Sequence, residues 1–186
     1  ATAEAHATYM QHLALADLIL PISNFSAHDY VSYLKSFLYF QERTLPVIHP
    51  VLLPGEDPSC TRPARVERDA HEILILSVGT LEPRKNQLTL IDAFNEVCAK
   101  YPQLALRLVL VGNLHQDVAY SVEQAIRKNP RINYLDYLED SEVAQLYRQC
   151  AFTVFPSVEE GFGLPILESL WHGKPCICAD FGAMRE

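Results

Sequence analysis

The chain has 186 residues, 49% of them apolar and 20% charged, and carries a net charge of −8. That size and balance suit a soluble globular fold with one buried core, or one core and part of a second. The acidic surplus argues against nucleic-acid binding, which draws on clustered Lys and Arg, and weakens attachment to anionic lipid through basic patches.

No apolar run approaches the ~20 residues of a membrane-crossing helix. The start, Ala1-Thr2-Ala3-Glu4-Ala5-His6, has neither the basic nor the apolar region of a secretory leader, so cytoplasmic residence is the default expectation. The five cysteines, Cys60, Cys98, Cys150, Cys176 and Cys178, are odd in number and irregular in spacing. Cys176-Ile177-Cys178 lacks the two-residue gap of a zinc knuckle, and the set reads as small apolar residues of a reduced core.

In chain order, Leu18-Ile19-Leu20-Pro21-Ile22 predicts a short buried strand, with Ser23 or Asn24 capping the helix that follows. That helix places Tyr30, Tyr33, Leu34, Phe37 and Leu38 on one face, and residues 46–48 return as a strand. The aromatic stripe reads as core packed on a sheet. Weak docking on a membrane or a lipid-linked acceptor is its alternative. His-Pro, Leu-Pro-Gly, Asp-Pro-Ser and Arg-Pro between 49 and 68 then mark a connector.

Beyond it a regular alternation begins. Strands are expected at 73–78, 106–111, 132–138, 152–155 and 175–179. Helices are expected at 87–100, at 118–128, after a cap at Asp140 or Ser141, and from Pro165. Mostly apolar strands separated by single helices predict an α/β fold with a parallel sheet covered on both faces. The expected division is 1–48 as the last portion of one Rossmann-like domain, 49–69 as a connector, and 70–186 as most of a second. The sequence stops shortly after Asp180, before a closing helix, so this second domain is expected to be incomplete. Ligands of such sheets sit outside the carboxyl ends of the strands, which directs attention to loops 79–86, 137–140 and 156–164.

Loop 156–168 reads Pro-Ser-Val-Glu-Glu-Gly-Phe-Gly-Leu-Pro-Ile-Leu-Glu. Gly161 and Gly163 permit close backbone approach, and the helix entry offers free N–H groups to an anion. Glu160 and Glu168 beside that entry would repel a phosphate unless they face neutral hydroxyls. A nucleotide sugar has that layout, with ribose and hexose diols flanking a diphosphate. At the end of the strand at 73–78, Arg84 and Lys85 supply a fork and a point charge for the diphosphate. Taken singly, each of these features is ordinary. Together they converge on one end of one sheet. No dinucleotide fingerprint is present, since the third glycine is missing.

Glu160-x7-Glu168 enclosing Gly-Phe-Gly-Leu-Pro resembles the retaining GT-B glycosyltransferases called glycosyl transferases group 1. Residues 77–86, Ser-Val-Gly-Thr-Leu-Glu-Pro-Arg-Lys-Asn, resemble the start of their carboxyl-terminal domain, and residues 16–23 the last third of their amino-terminal, acceptor-binding domain. The resemblance implies that Glu168 holds the ribose hydroxyls and Glu160 meets the transferred sugar. The amides of Phe162, Gly163 and Leu164, beside Gly161, would contact sugar and phosphate. Gly79 and Thr80 would line the donor site, and the backbone of Tyr137 and Leu138 would meet the base. Arg84 and Lys85 would stabilise the leaving diphosphate without a metal or other cofactor.

Family members often carry arginine where Thr80 stands, so phosphate neutralisation here would rest on Arg84 and Lys85. His6, His12 and His172 read as surface or structural. The implied activity is hexosyl transfer to a glycan or lipid-linked glycan, with a UDP-sugar such as UDP-glucose favoured on family frequency and GDP-mannose next. The alternatives are a GT-B sugar-nucleotide epimerase, a glycosidase-like use of the carboxylates, and a donor-binding subunit completed by a partner chain. With most of the acceptor domain missing, this chain alone is expected to bind donor without transferring it.

Overall fold

The computed structural model describes residues 2–36, 45–55 and 72–186. Helix α1 (Thr2–Leu13), strand β1 (Leu18–Ile19), helix α2 (Asn24–Ser36) and strand β2 (Val47–Ile48) form the first portion. Strands β1 and β2 pair in parallel. Tyr30 and Leu34 are the buried centre of this portion, packed against Met10, Leu13, Ile19, Tyr33 and Ile48. The core reading therefore holds for the part of the stripe that is described; Phe37 and Leu38 lie outside the described residues, as do Cys60 and much of the proline-rich connector.

The strand expected to lie buried at 18–22 is neither that long nor buried. The strand is two residues long and leaves Leu18 and Leu20 about half exposed, because its partner among the described residues is the equally short β2. Helix α1 was not anticipated, although its alanine-rich start is good helix former. The cap of α2 is Ser23, whose hydroxyl accepts from the N–H of Ser26 at 2.9 Å.

The second portion runs β3 (Ile73–Val78), α3 (Gln87–Lys100), β4 (Leu106–Val111), α4 (Gln116–Lys128), β5 (Ile132–Leu135), α5 (Asp140–Gln149), β6 (Phe152–Phe155), α6 (Leu164–Trp171) and β7 (Cys176–Cys178). Among the described residues these strands form one five-stranded sheet, parallel throughout, in the order β5-β4-β3-β6-β7. Register pairs Ile75 with Leu108 and Leu76 with Val109, so alternate residues feed opposite layers. Ile75, Leu108 and Leu110 pack under Ile91, Phe94, Val118 and Val122 of α3 and α4. Leu74, Leu76, Val109 and Val111 pack on Tyr147 and Cys150 at the other face. Arg107, the polar exception in β4, reaches Glu72 at 2.9 Å at the strand's start.

Strand β5 ends at Leu135, three residues before the expected end. Gly112 explains it: its N–H closes the last ladder bond to the Leu135 carbonyl at 3.0 Å, and its φ of 132° then turns β4 away. Helix α5 is capped at Glu139, not at Asp140 or Ser141, which lie inside its first turn. The Glu142 carboxylate reaches back to the Glu139 N–H at 2.9 Å. Helix α6 begins at Leu164, placing Pro165 second. The cysteines at 98, 150, 176 and 178 are free thiols, with Cys150 fully buried and the others partly so. Among the described residues no helix is long and apolar enough to cross a membrane.

Gly79 and Gly112 both have φ near +130°, but a Cβ on Gly112 would lie 2.5 Å from the Gly79 carbonyl oxygen, whereas one on Gly79 meets nothing within 4 Å. Both alanine variants carry the backbone strain of about 1–3 kcal/mol, and Gly112→Ala adds the clash. Urea unfolding is expected to show Gly112→Ala as clearly the less stable of the two. Equal losses would mean that the β3–β4 contact yields freely.

Candidate functional site

The order of the sheet reverses between β3 and β6, and the loops leaving their carboxyl ends meet there. After β3, Pro83 fixes the entry to a single 3₁₀ turn, Pro83–Lys85, and Asn86 takes a left-handed conformation (φ 58°) before α3. This turn is stitched to the loop after β6. The Asn86 amide donates to the Pro156 carbonyl at 3.2 Å, and the Val158 N–H to the Arg84 carbonyl at 2.9 Å. The Thr80 carbonyl accepts from the Gln87 amide at 3.0 Å, which ties the strand end to α3.

The stitching delivers both cations to one carboxylate. Lys85 Nζ lies 2.6 Å from Glu160 Oε1, and Arg84 Nη1 lies 3.1 Å from Oε2. Arg84 also donates to the Glu159 carbonyl and, through Nη2, to Glu82, each at 2.7 Å. Lys85 stands 5.0 Å from the ring centre of Phe155. Burial by itself would raise the Glu160 pKa, since its side chain is 10% exposed. The hydrogen bond from Lys85 and the charges of Lys85 and Arg84 outweigh burial and hold it below the ordinary carboxylate value.

Glu168 lies one turn into α6. The roll of that helix is set by Ser169, which is fully buried; its hydroxyl accepts from Thr153 Oγ1 of β6 at 2.7 Å and donates to the Lys174 carbonyl at 3.1 Å. Glu168 Oε2 in turn accepts from the Tyr147 hydroxyl at 2.8 Å. Tyr147 stacks on the buried His172, with ring centres 5.0 Å apart and planes 7° apart, so His172 is structural. Burial, then the Glu168 charge, push the Tyr147 pKa far above its ordinary value.

The first portion forms the facing wall. Ser26 Oγ of α2 donates to the Gly161 carbonyl at 3.0 Å. Because the peptide is trans, the Phe162 N–H points away from α2. The Glu186 carboxylate accepts from the N–H groups of Asn24 and Phe25 at 2.8 and 2.6 Å, capping α2 from the second portion. Between the walls lies a cleft of about 590 Å³ lined by Tyr30, Tyr33, Asp29, Arg84, Glu159 and Glu160, among others.

Arg84, Lys85 and Glu160 are thus in direct contact, and Gly161 is continuous with them. Gly163, at φ 100°, makes the turn into α6, while Phe162 lines an apolar hollow with Leu52, Leu167 and Met184. Leu164 is the first residue of α6 and is partly exposed, and Gly79 and Thr80 directly follow β3. Tyr137 and Leu138 stand two strands away, past the end of β5; Tyr137 is exposed, and Leu138 packs in the cluster that holds Tyr147. The sequence reading missed Ser26, Glu82, Tyr147 and Glu186. Tyr147 repeats at helical spacing with Val143, Leu146 and Cys150, which marks a core residue, but nothing in that spacing marks a partner for Glu168. Among the described residues no group of three or more His, Cys, Asp or Glu side chains is placed to hold a metal ion.

A family model described as glycosyl transferases group 1 matches residues 72–186, and the chain belongs to that family. It is 30% identical, over 95% of its length, to the O-antigen chain mannosyltransferase B of Escherichia coli, of which it covers 46%. It is 29% identical, over 72% of its length, to the D-inositol 3-phosphate glycosyltransferase of Rhodococcus erythropolis, of which it covers 33%. The chain therefore spans less than half the length of these curated relatives. Among solved structures, a UDP-forming α,α-trehalose-phosphate synthase from Burkholderia xenovorans superposes with a TM-score of 0.74 at 17% identity, over 96% of this chain and 50% of that one. The shared fold is GT-B.

Glu160 has a depressed folded-state pKa, so its ion pairs stabilise the fold above the unfolded value near 4.5 and are lost as pH falls through the lower folded value. The stability gap between the parent and Glu160→Gln is expected to be constant at neutral pH and to close below about pH 4.5, by urea unfolding at stepped pH. A gap unchanged down to pH 3 would show that the carboxylate is not ionised by its two partners.

Proposed function

We propose that this member of the glycosyl transferases group 1 family holds a nucleotide sugar at the carboxyl ends of β3 and β6. It passes the hexosyl group to a glycan or lipid-linked glycan with retention of anomeric configuration. The observation that carries the reading is the contact of Arg84 and Lys85 with Glu160 at the entry to α6, with Glu168 one turn further on. Two cations and two carboxylates at a strand switch point match a diphosphate flanked by diols.

In this reading residues 1–48 supply the acceptor side and 70–186 the donor side. Without donor, Glu160 satisfies both cations. An arriving diphosphate draws Arg84 and Lys85 to itself, and Glu160 then accepts from hydroxyls of the transferred sugar. The cations neutralise the charge that develops on the leaving diphosphate, and because the loops already hold them there, little reorganisation accompanies the step. The amides of Phe162, Gly163 and Leu164 contact sugar and phosphate at the start of α6, beside Gly79 and Thr80. The backbone at Tyr137 and Leu138 meets the base. No metal is required where two side-chain cations do this work.

Family frequency alone favours UDP-glucose, but the name of the mannosyltransferase relative supports a mannosyl donor, and GDP-mannose is the first donor to test. Initial rates with GDP-mannose and UDP-glucose, measured on a chain extended to carry a whole acceptor domain and with the anomeric configuration of the product read by NMR, test the proposal; the 186 residues alone are expected to bind donor without turnover. Inversion at the anomeric carbon, epimerised donor without transfer, or transfer that needs a second chain would each replace it with a different reading.

The residue roles separate by affinity. Glu168→Gln is expected to weaken nucleoside diphosphate binding about tenfold or more, as loss of a charge-assisted hydrogen bond of roughly 1.5–3 kcal/mol implies. Glu160→Gln should not weaken the free nucleotide, because it removes the carboxylate that competes for Arg84 and Lys85, and should weaken the nucleotide sugar, by calorimetry on both variants. Arg84→Ala with Lys85→Ala should abolish the preference for nucleoside diphosphate over nucleoside, with EDTA changing neither variant nor parent. Collapse of parent binding in EDTA would assign the diphosphate to a metal instead.

A further inference from the structure

We infer that Tyr147 is a positioning residue for the ribose end of the donor, acting by holding Glu168 in the orientation that meets the sugar diol. The inference rests on the ribose role proposed for Glu168 and goes beyond it in naming what aims the carboxylate.

Tyr147 is anchored on every side. It is 2% exposed, its ring sits in the layer formed by Leu74, Leu76, Val109 and Val111, and His172, itself 1% exposed, stacks on it. The phenol therefore has no room to swing, and its hydroxyl lies 2.8 Å from Glu168 Oε2. Glu168 is less enclosed, on the half-buried side of α6. A glutamate side chain ordered only when ligand arrives costs rotamer entropy at that moment, and a rigid neighbour removes that cost beforehand. The direction of the bond is also settled. Burial and the Glu168 charge keep the phenol protonated through the whole working range, so it always donates. A carboxylate accepts about four hydrogen bonds, and one from Tyr147 does not exhaust that capacity.

The test compares ribose with dideoxyribose. Calorimetry on the parent, Tyr147→Phe, Glu168→Gln and the double variant uses GDP and 2′,3′-dideoxy-GDP, or the uridine pair if the parent binds it more tightly. The parent is expected to prefer the ribose form. Tyr147→Phe should cut that preference about fivefold or more, since the bond lost is to a charged carboxylate, while leaving dideoxy affinity nearly unchanged; any fall in melting temperature from the lost bond weighs on both nucleotides alike. In the Glu168→Gln background, Tyr147→Phe should have no further effect on the preference. Equal weakening of both nucleotides by Tyr147→Phe would show a merely structural tyrosine and overturn the inference while sparing Glu168. A parent that shows no ribose preference, or binds neither pair, overturns the ribose role of Glu168 and this inference with it.

Discussion

Glu160 sits between two cations that the chain places 75 and 76 residues earlier, and the geometry of the site follows from satisfying all three charges together. Lys85 is 14% exposed and lies against the Phe155 ring, a position that an unpaired ammonium would occupy at heavy desolvation cost. The counter-charge has to come from the loop after β6, and the backbone bonds from Val158 and Asn86 hold the two loops at the distance where it can. In the proposed reading, the same charges that close the loops are the set a diphosphate competes for. The two cations are therefore held in a neutralised form, already aimed by the loops that carry them.

The second dependence runs through α2. Its N-terminal N–H groups are taken by Glu186 and by the Ser23 hydroxyl, so the end of this helix is closed by its own neighbours. The helix is thereby docked against the segment that follows β7, and from that position Ser26 grips the Gly161 carbonyl. One peptide plane is oriented from across the cleft. The first portion thus bears on the glutamate loop through a specific bond as well as by forming a wall.

On the opposite flank, the roll of α6 is set by the buried Thr153–Ser169–Lys174 chain of hydrogen bonds. That puts Glu168 on the side of Tyr147. Glu160 and Glu168, eight positions apart in sequence, are consequently held by unrelated elements: one by a turn after β3, the other by a helix between β5 and β6.

Much of the second portion was legible in the sequence because each signal is local. Apolar runs marked β3, β4 and β6 with the bounds they adopt, and the 3.6-residue repeat of Leu90, Ile91, Phe94 and Val97 marked α3. The Gly-Phe-Gly-Leu-Pro turn and the two glutamates were likewise readable as a loop leading into a helix. What local signals do not carry is pairing across space. The end of β5 depended on where Gly112 turns its neighbour, and the cap of α5 on a reach-back by Glu142. The Lys85–Glu160 contact depended on a parallel sheet bringing β3 beside β6. Sequence alone determined which residues are charged, which strands are apolar and which glycines and prolines bend the chain, because those follow from side-chain chemistry and short-range periodicity. Only the tertiary structure decided that Arg84 and Lys85 share Glu160, that Tyr147 holds Glu168 and that Glu186 caps α2, because each of those bonds joins segments that meet when the sheet order and the docking of α2 are set.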